Sequence, residues 1–74
     1  MGKLRVLSGD EVCQILAGHG FAKVRQRGSH IVMQKAEPEH TTTVPVPNHS
    51  EIKCGTLRSI IRQSGIDKAE FEST

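Results

Sequence analysis

Three short segments with strand character follow one another between residues 22 and 46, and one helix pattern lies on each side of them. A chain of 74 residues buries only about 60% of the surface that its unfolded form exposes, so its core must be small. Both helices must then pack on the same apolar sheet face, because the chain is too short to cover two faces. We therefore predict a single α+β domain over residues 1–74, with the order α-β-β-β-α and a three-stranded antiparallel sheet.

Capping and stop signals place the two helices. Ser8 and Glu11 fit a capping box, in which the hydroxyl and the carboxylate satisfy free backbone donors of the first turn. Apolar residues then recur at helical spacing, which predicts a helix over about residues 9–18. The same spacing predicts a second helix over about residues 53–64, which Gly65 ends.

The first strand, predicted at residues 22–27, carries a large share of the basic side chains. The net charge of +2 is too small to indicate a polyanionic partner, so the placement of the charges has to decide whether such a partner is expected. Side chains of a strand alternate between two faces. We expect apolar Ala22 and Val24 to face inward with Gln26, and the basic side chains to share the outer face: Lys23, Arg25 and Arg27.

A turn at Gly28 and Ser29 leads into a second strand, predicted at residues 30–35. If the apolar residues of this strand face the core, His30 faces outward beside the arginines. A third strand follows at residues 41–46, where threonines and valines favour β structure and the prolines suit an edge position.

The basic strand and the turn after it form a possible phosphate grip. Guanidinium groups pair well with phosphate oxygens, and glycine lets the backbone approach them closely. An imidazole has an unperturbed pKa of about 6.5, and an RNA 2′-hydroxyl must lose a proton to attack its own phosphate. We therefore predict His30 as a catalytic residue, and the following as phosphate-binding residues: Lys23, Arg25, Arg27, Gly28 and Ser29.

The other histidines carry weaker signals. His49 precedes the second helix, where Lys53 and backbone amides could also meet phosphate. Three interpretations stay open: an RNA-binding role for His49 and Lys53, a second catalytic role for His49, or a hydrogen bond of His49 that only structures the loop. His19, between two glycines, and His40, in an acidic loop, are expected to be surface residues.

Composition excludes several other kinds of site. The chain has no Trp or Tyr, and its two phenylalanines are explained by packing at helix ends, so it lacks an aromatic platform for stacking bases. RNA binding should therefore rely on backbone and 2′-hydroxyl contacts. The two cysteines and the histidines lack metal-ligand spacing, so we predict neither a metal site nor a cofactor. Without an apolar leader or a membrane-spanning stretch, we expect a cytoplasmic protein.

The chain carries two separated motifs: Gly20-Phe21 with Arg25-Gln26-Arg27-Gly28-Ser29-His30, and Gly55-Thr56-Leu57-Arg58-Ser59-Ile60-Ile61-Arg62-Gln63-Ser64-Gly65-Ile66. These stretches resemble the HicA family of bacterial and archaeal toxin endoribonucleases, also called YcfA-like mRNA interferases. The segment at residues 43–49 is also similar to the threonine-valine-proline segment that precedes a histidine in this family, and the similarity spans roughly residues 8–71.

The resemblance implies a double-stranded-RNA-binding-domain-like fold and the toxin role in a type II toxin–antitoxin system. It also implies cleavage of mRNA, a block of translation and neutralisation by a HicB-type antitoxin. His30 matches the family's catalytic histidine, and Gly28 and Ser29 match the turn that positions it. Arg58 fits the family's helix pattern, either as an RNA contact or as a solvated side chain. We expect the chain alone to be a monomer.

Two other classes of function remain open at this point. A non-catalytic RNA-binding module that uses the same basic face would bind RNA in a salt-dependent way without cutting it. A domain that only binds proteins would keep its nucleic-acid behaviour when Arg25 and Arg27 are reversed to glutamate.

Overall fold

The computed structural model describes residues 3–73, and its centre is a three-stranded antiparallel sheet in the order β2-β3-β4. Both helices pack on one face of this sheet, which confirms the predicted α+β fold. The elements in chain order are β1 (Lys3–Leu4), α1 (Gly9–Ala17), β2 (Ala22–Arg27), β3 (His30–Ala36), β4 (Thr41–Pro47), α2 (Cys54–Ser64), a 3₁₀ turn (Lys68–Phe71) and β5 (Glu72–Ser73).

The core lies between the sheet and the two helices. Both phenylalanines belong to it, as predicted: Phe21 folds back from the end of α1, and Phe71 closes the 3₁₀ turn. No polar or charged side chain is buried among the described residues. The buried apolar side chains are Leu7, Val12, Leu16, Phe21, Ile31, Met33, Val44, Val46, Ile52, Leu57, Ile60 and Phe71.

The predicted capping box at the start of α1 is present. The Glu11 amide donates to Ser8 Oγ over 3.1 Å, and the Ser8 amide donates to Glu11 Oε1 over 2.9 Å. The hydrogen bond that the Glu11 carboxylate accepts from the Ser8 amide, followed by one from the Ser8 hydroxyl, holds the pKa of this carboxyl group below its usual value. The carboxylate form of Glu11 is therefore favoured by folding.

Replacing Glu11 with glutamine is expected to change the acid sensitivity of the fold. A carboxyl group with a lowered pKa stabilises the fold above its unfolded-state pKa of about 4.3, and this stabilisation is lost as the pH falls. Glutamine can still close a capping box but does not titrate. We expect urea unfolding to show that the unmodified protein loses more stability between pH 7 and pH 3 than Glu11→Gln does. The exposed loop variant Glu39→Gln is the control, and equal losses in Glu11→Gln and unmodified protein would contradict this prediction.

Gly9, the first residue of α1, makes a close approach to the end of β4. Its amide donates to the His49 carbonyl over 2.8 Å. A Cβ added at Gly9 would overlap the carbonyl oxygen of Pro47 and lie 3.1 Å from the Cα of Asn48. Glycine is thus required where α1 meets the end of the sheet.

We expect Gly9→Ala to destabilise the protein by about 1–3 kcal/mol, the usual cost of overpacking. Gly55 is the matched control, because it also lies in the first turn of a helix but a Cβ there meets nothing within 4 Å in the described chain. Gly55→Ala should stabilise α2 by up to about 1 kcal/mol. Denaturant unfolding of both variants measures the difference, and a loss of stability in Gly55→Ala equal to that in Gly9→Ala would contradict the explanation.

β2 differs from its prediction in two ways. All of its residues are exposed, and the expected inward face is wrong for Ala22, which lies opposite Gln34 on the side away from the helices, and for Val24, which is 48% exposed. Gln26 lies opposite the buried Ile31 and therefore faces the helix side, as predicted. β2 is an edge strand, and α2 packs over β4 at the opposite edge of the sheet. Basic side chains and a bulge are common protections of such an edge against pairing with other strands.

The bulge in β2 also changes which basic side chains lie together. Lys23 pairs with Met33 and Arg25 pairs with Val32, so Val24 is an extra residue between them. One extra residue inverts the alternation of faces. Lys23 therefore lies on the helix-facing side with Met33, and the prediction that it shares a face with Arg25 and Arg27 is wrong.

A small second sheet joins the two ends of the described chain. β1 pairs with β5 in antiparallel fashion, and the Arg5 amide donates to the Phe71 carbonyl over 2.9 Å. Strands of two residues have no measurable periodicity, which is why the sequence did not predict them.

Candidate functional site

The sheet face turned away from the helices, here called the open sheet face, is built from cross-strand rows. Residues directly opposite each other in an antiparallel pair point to the same side, so the register defines the face. Its members are Ala22, Arg25, Arg27, His30, Val32, Gln34, Ala36, Thr41, Thr43, Pro45 and Pro47. The two rows nearest the β2–β3 turn are Arg27–His30–Pro47 and Arg25–Val32–Pro45.

His30 lies in the middle of the first row and is exposed, as predicted from its place in the strand. Its imidazole has no hydrogen-bond or ion-pair partner within residues 3–73. The two histidines predicted to be surface residues are exposed but paired: His19 Nε2 lies 3.2 Å from Glu70, and His40 Nε2 lies 2.9 Å from Glu37. His30 is therefore free to contact a ligand, unlike these two.

The guanidinium groups of Arg25 and Arg27 are also unpaired. Both side chains are exposed, and none of the ion pairs in the described part of the chain involves them. The residues that define the open sheet face include no carboxylate. The β2 side of this face therefore presents positive charge that is available to an anion.

The turn between β2 and β3 is held in place by the end of β4. Gly28 has a φ of 57°, a left-handed conformation that favours glycine, and it starts the two-residue turn. The Ser29 carbonyl accepts a hydrogen bond of 2.6 Å from the Asn48 amide. The amides of Gly28 and Ser29 donate to no partner in the chain from residue 3 to 73, so an anion beside His30 could use them.

A cavity of about 230 Å³ opens next to the first row, on the β4 side. It brings His49 and Lys53, both predicted from the sequence, beside Pro47 of the open sheet face. The sequence did not predict the cavity, because the segments that form its walls have no periodic pattern of their own. Its lining residues are Pro47, His49, Glu51, Ile52, Lys53 and Thr56.

Two predicted site residues lie outside both the open sheet face and the cavity. Arg58 is on α2, which packs on the other face of the sheet, and it lines a separate groove with Arg62 and Lys68. The ammonium group of Lys23 donates to Gln26 Oε1 over 3.2 Å. Lys23 pairs with Met33, so it is not a member of the first row. The structure thus brings most of the predicted residues together and leaves these two apart.

A comparison with protein families identifies the group to which this fold and site belong. The profile described as the HicA toxin of bacterial toxin–antitoxin systems matches residues 9–66. The chain belongs to the HicA toxin family. The match covers α1 through α2 and includes every residue of the open sheet face, so the resemblance seen in the sequence is confirmed. Among curated proteins, none matches the chain significantly.

Membership in the HicA family makes the chain the toxin component of a type II toxin–antitoxin system, whose partner is a HicB-type antitoxin. Within the described residues of this HicA chain, no group of three or more His, Cys, Asp or Glu side chains could hold a metal ion. None of the helices between residues 3 and 73 has the length and apolar character needed to cross a membrane.

The two cysteines of the HicA chain are free thiols in different surroundings. Cys54 is exposed at the start of α2. Cys13 is half-buried on α1, and its burial, assisted by the charge of Asp10, raises the pKa of its thiol. A raised pKa disfavours the reactive thiolate, so Cys13 is poorly suited to be a nucleophile.

Proposed function

We propose that this chain is a metal-independent endoribonuclease that cleaves mRNA and thereby blocks translation, with His30 as its catalytic residue. The observation that carries the proposal is the first row of the open sheet face. An unpartnered imidazole lies there next to an unpaired guanidinium group, within the region matched by the HicA family. The two histidines that are paired with carboxylates offer no such arrangement.

The chemistry needs one group that moves a proton. In the proposed step, the RNA 2′-oxygen forms a bond to the neighbouring phosphorus, and the bond from phosphorus to the 5′-oxygen of the next nucleotide breaks. His30 accepts the proton of the 2′-hydroxyl while water protonates the departing 5′-oxygen, or His30 donates a proton to the 5′-oxygen while water takes the proton of the 2′-hydroxyl. Arg25 and Arg27 stabilise the negative charge that develops on the phosphate oxygens.

The RNA contacts follow from the same geometry. We assign phosphate binding to Arg25 and Arg27 and to the amides of Gly28 and Ser29, which adjoin His30. His49 and Lys53 extend the contact surface past Pro47, at the other end of the first row. Contacts of Lys23 and Arg58 with RNA remain predictions. Because neither residue lies on the open sheet face, such contacts require the RNA strand to pass around an edge of the sheet.

Cleavage of a defined transcript by the purified chain, with a metal chelator present, tests the proposed function. We expect the transcript to be cut internally, since the proposed step uses only side chains and backbone amides of the chain. Transcript that binds but stays intact would instead favour the non-catalytic RNA-binding module. Failure to bind RNA at all would favour a domain that binds only proteins.

Reversing the charge at the centre of the site is expected to weaken RNA processing. Loss of a charge-assisted hydrogen bond costs about 1.5–3 kcal/mol, so Arg27→Glu should lower kcat/KM for cleavage by about 10- to 150-fold. It should also reduce the slope of log affinity against log salt by about 1. Arg62→Glu on α2 changes the net charge equally, away from the open sheet face, and is the control. Equal losses in both variants would show that net charge alone is responsible.

A further inference from the structure

We propose that the cavity beside Pro47 binds one unpaired nucleobase of the RNA strand, next to the phosphate that is cut. The inference rests on the proposed ribonuclease function and adds a site that determines base preference. Phosphate contacts hold an RNA strand without reading its sequence, whereas contacts with bases can read it. The cavity is the part of the site suited to the second task.

The position of the cavity follows from the register of the sheet. Pro47 lies directly opposite His30 and also lines the cavity. Neighbouring strands lie about 4.8 Å apart, so the cavity begins one strand spacing from the catalytic residue. A nucleotide carries its base one ribose away from its phosphate, which is a comparable length. A phosphate held between Arg27 and His30 therefore places an adjacent base at the mouth of the cavity.

The lining of the cavity suits a base better than a phosphate. The half-buried Pro47 supplies apolar surface for the flat face of a base, and the core residue Ile52 adds the small part of its side chain that lines the cavity. Glu51 is an acceptor that would repel a phosphate but can accept hydrogen bonds from the amino or imino groups of a base. Lys53 donates, and the Thr56 hydroxyl can donate or accept. Both kinds of hydrogen-bonding partner found on a base edge are thus present.

Backbone hydrogen bonds fix the walls of the cavity relative to the first row of the open sheet face. The Asn48 amide donates to the Ser29 carbonyl over 2.6 Å, immediately before His30. On the other side, the Ile52 amide donates to the Leu7 carbonyl over 2.7 Å. A cavity formed before the ligand arrives loses little conformational entropy on binding. The chain could therefore read a base without the aromatic platform that its composition lacks.

Binding of short RNA strands with and without one base tests this proposal. The cut position is first mapped on a transcript, and the oligonucleotides then carry a 2′-deoxy nucleotide there so that they stay intact. Each nucleotide that flanks the cut is replaced in turn by an abasic one, and affinity is measured by fluorescence anisotropy. We expect one of the two abasic strands to bind about 5- to 50-fold more weakly, at the lower end of the effect of one stacked base.

A variant that fills the cavity links the effect to these residues. Thr56→Leu should weaken binding of the intact strand to the level of the abasic strand, and it should leave the abasic strand unaffected. Gln63→Leu adds the same side chain to an exposed position of α2 outside the cavity and should bind like the unmodified chain.

The outcomes separate the two proposals. RNA that is cut and bound equally with and without the flanking bases would overturn the base-binding cavity but leave the ribonuclease function intact. A base effect that survives in Thr56→Leu would also overturn it, because the base would then be read elsewhere. If the chain neither binds nor cuts RNA, both proposals fail.

Discussion

Replacing His30 with alanine is expected to lower the rate of RNA cleavage by about 10²- to 10⁴-fold, the usual contribution of a positioned proton-transfer group. The imidazole has no partner in the described chain and lies between Arg27 and Pro47 on the open sheet face. Its loss removes the proposed proton acceptor or donor but leaves the arginines in place. RNA affinity should therefore change much less than the rate.

His40→Ala is the matched control for this prediction. His40 is also exposed, but its imidazole pairs with Glu37 in the β3–β4 loop, away from the arginines. We expect His40→Ala to cleave RNA at the unmodified rate. Both variants should unfold at the same denaturant concentration as the unmodified chain, within about 0.5 kcal/mol, because exposed side chains contribute little to stability. Full activity in folded His30→Ala would return His30 to a structural role.

Replacing Phe71 with alanine is expected to destabilise the fold by about 3–5 kcal/mol. Phe71 is fully buried and closes the core beneath the small β1–β5 sheet. A protein of this length has a total stability of roughly 4–11 kcal/mol, so this single change removes a large part of it. We expect a much lower denaturant midpoint, or a chain that is partly unfolded in buffer.

Val6→Ala is the control for Phe71→Ala, because Val6 is also an apolar residue close to the small sheet but is 75% exposed. Its effect on the free energy of unfolding should stay within about 0.5 kcal/mol. Denaturant unfolding followed by circular dichroism measures both variants. A loss below about 1 kcal/mol in Phe71→Ala would show that the core repacks around the missing ring.

Most of the fold was predictable because its signals are local. The capping box of Ser8 and Glu11, the stop at Gly65 and the turn at Gly28 each place the end of one element. The three-stranded sheet followed from these ends, since a chain this short has room for one core.

The bulge at Val24 was not predictable in the same way. The sequence of β2 alternates without a break, so nothing in it marks Val24 as an extra residue. A bulge is decided by the pairing of two strands, which a pattern within one strand cannot show. Missing it placed Lys23 on the wrong face, although Arg25 and Arg27 were placed correctly beside His30.

The candidate site was predictable only in its central part. His30 follows a basic strand and a turn, and its exposed position depends on simple alternation within β3. The cavity next to it depends on hydrogen bonds between segments far apart in the sequence, such as those of Gly9 with His49 and Ile52 with Leu7. Such contacts appear only once the chain is folded.

The most direct test of the central claim compares one RNA oligonucleotide with its copy that lacks a single 2′-hydroxyl at the mapped cut position, using the unmodified chain and His30→Ala. The proposed step requires that hydroxyl as the attacking group and His30 as the residue that moves the proton. We predict that only the unmodified chain cuts the all-RNA strand efficiently, and that the copy without the hydroxyl stays intact at that position. Cutting of that copy, or equal cutting of the RNA strand by both proteins, would contradict the account.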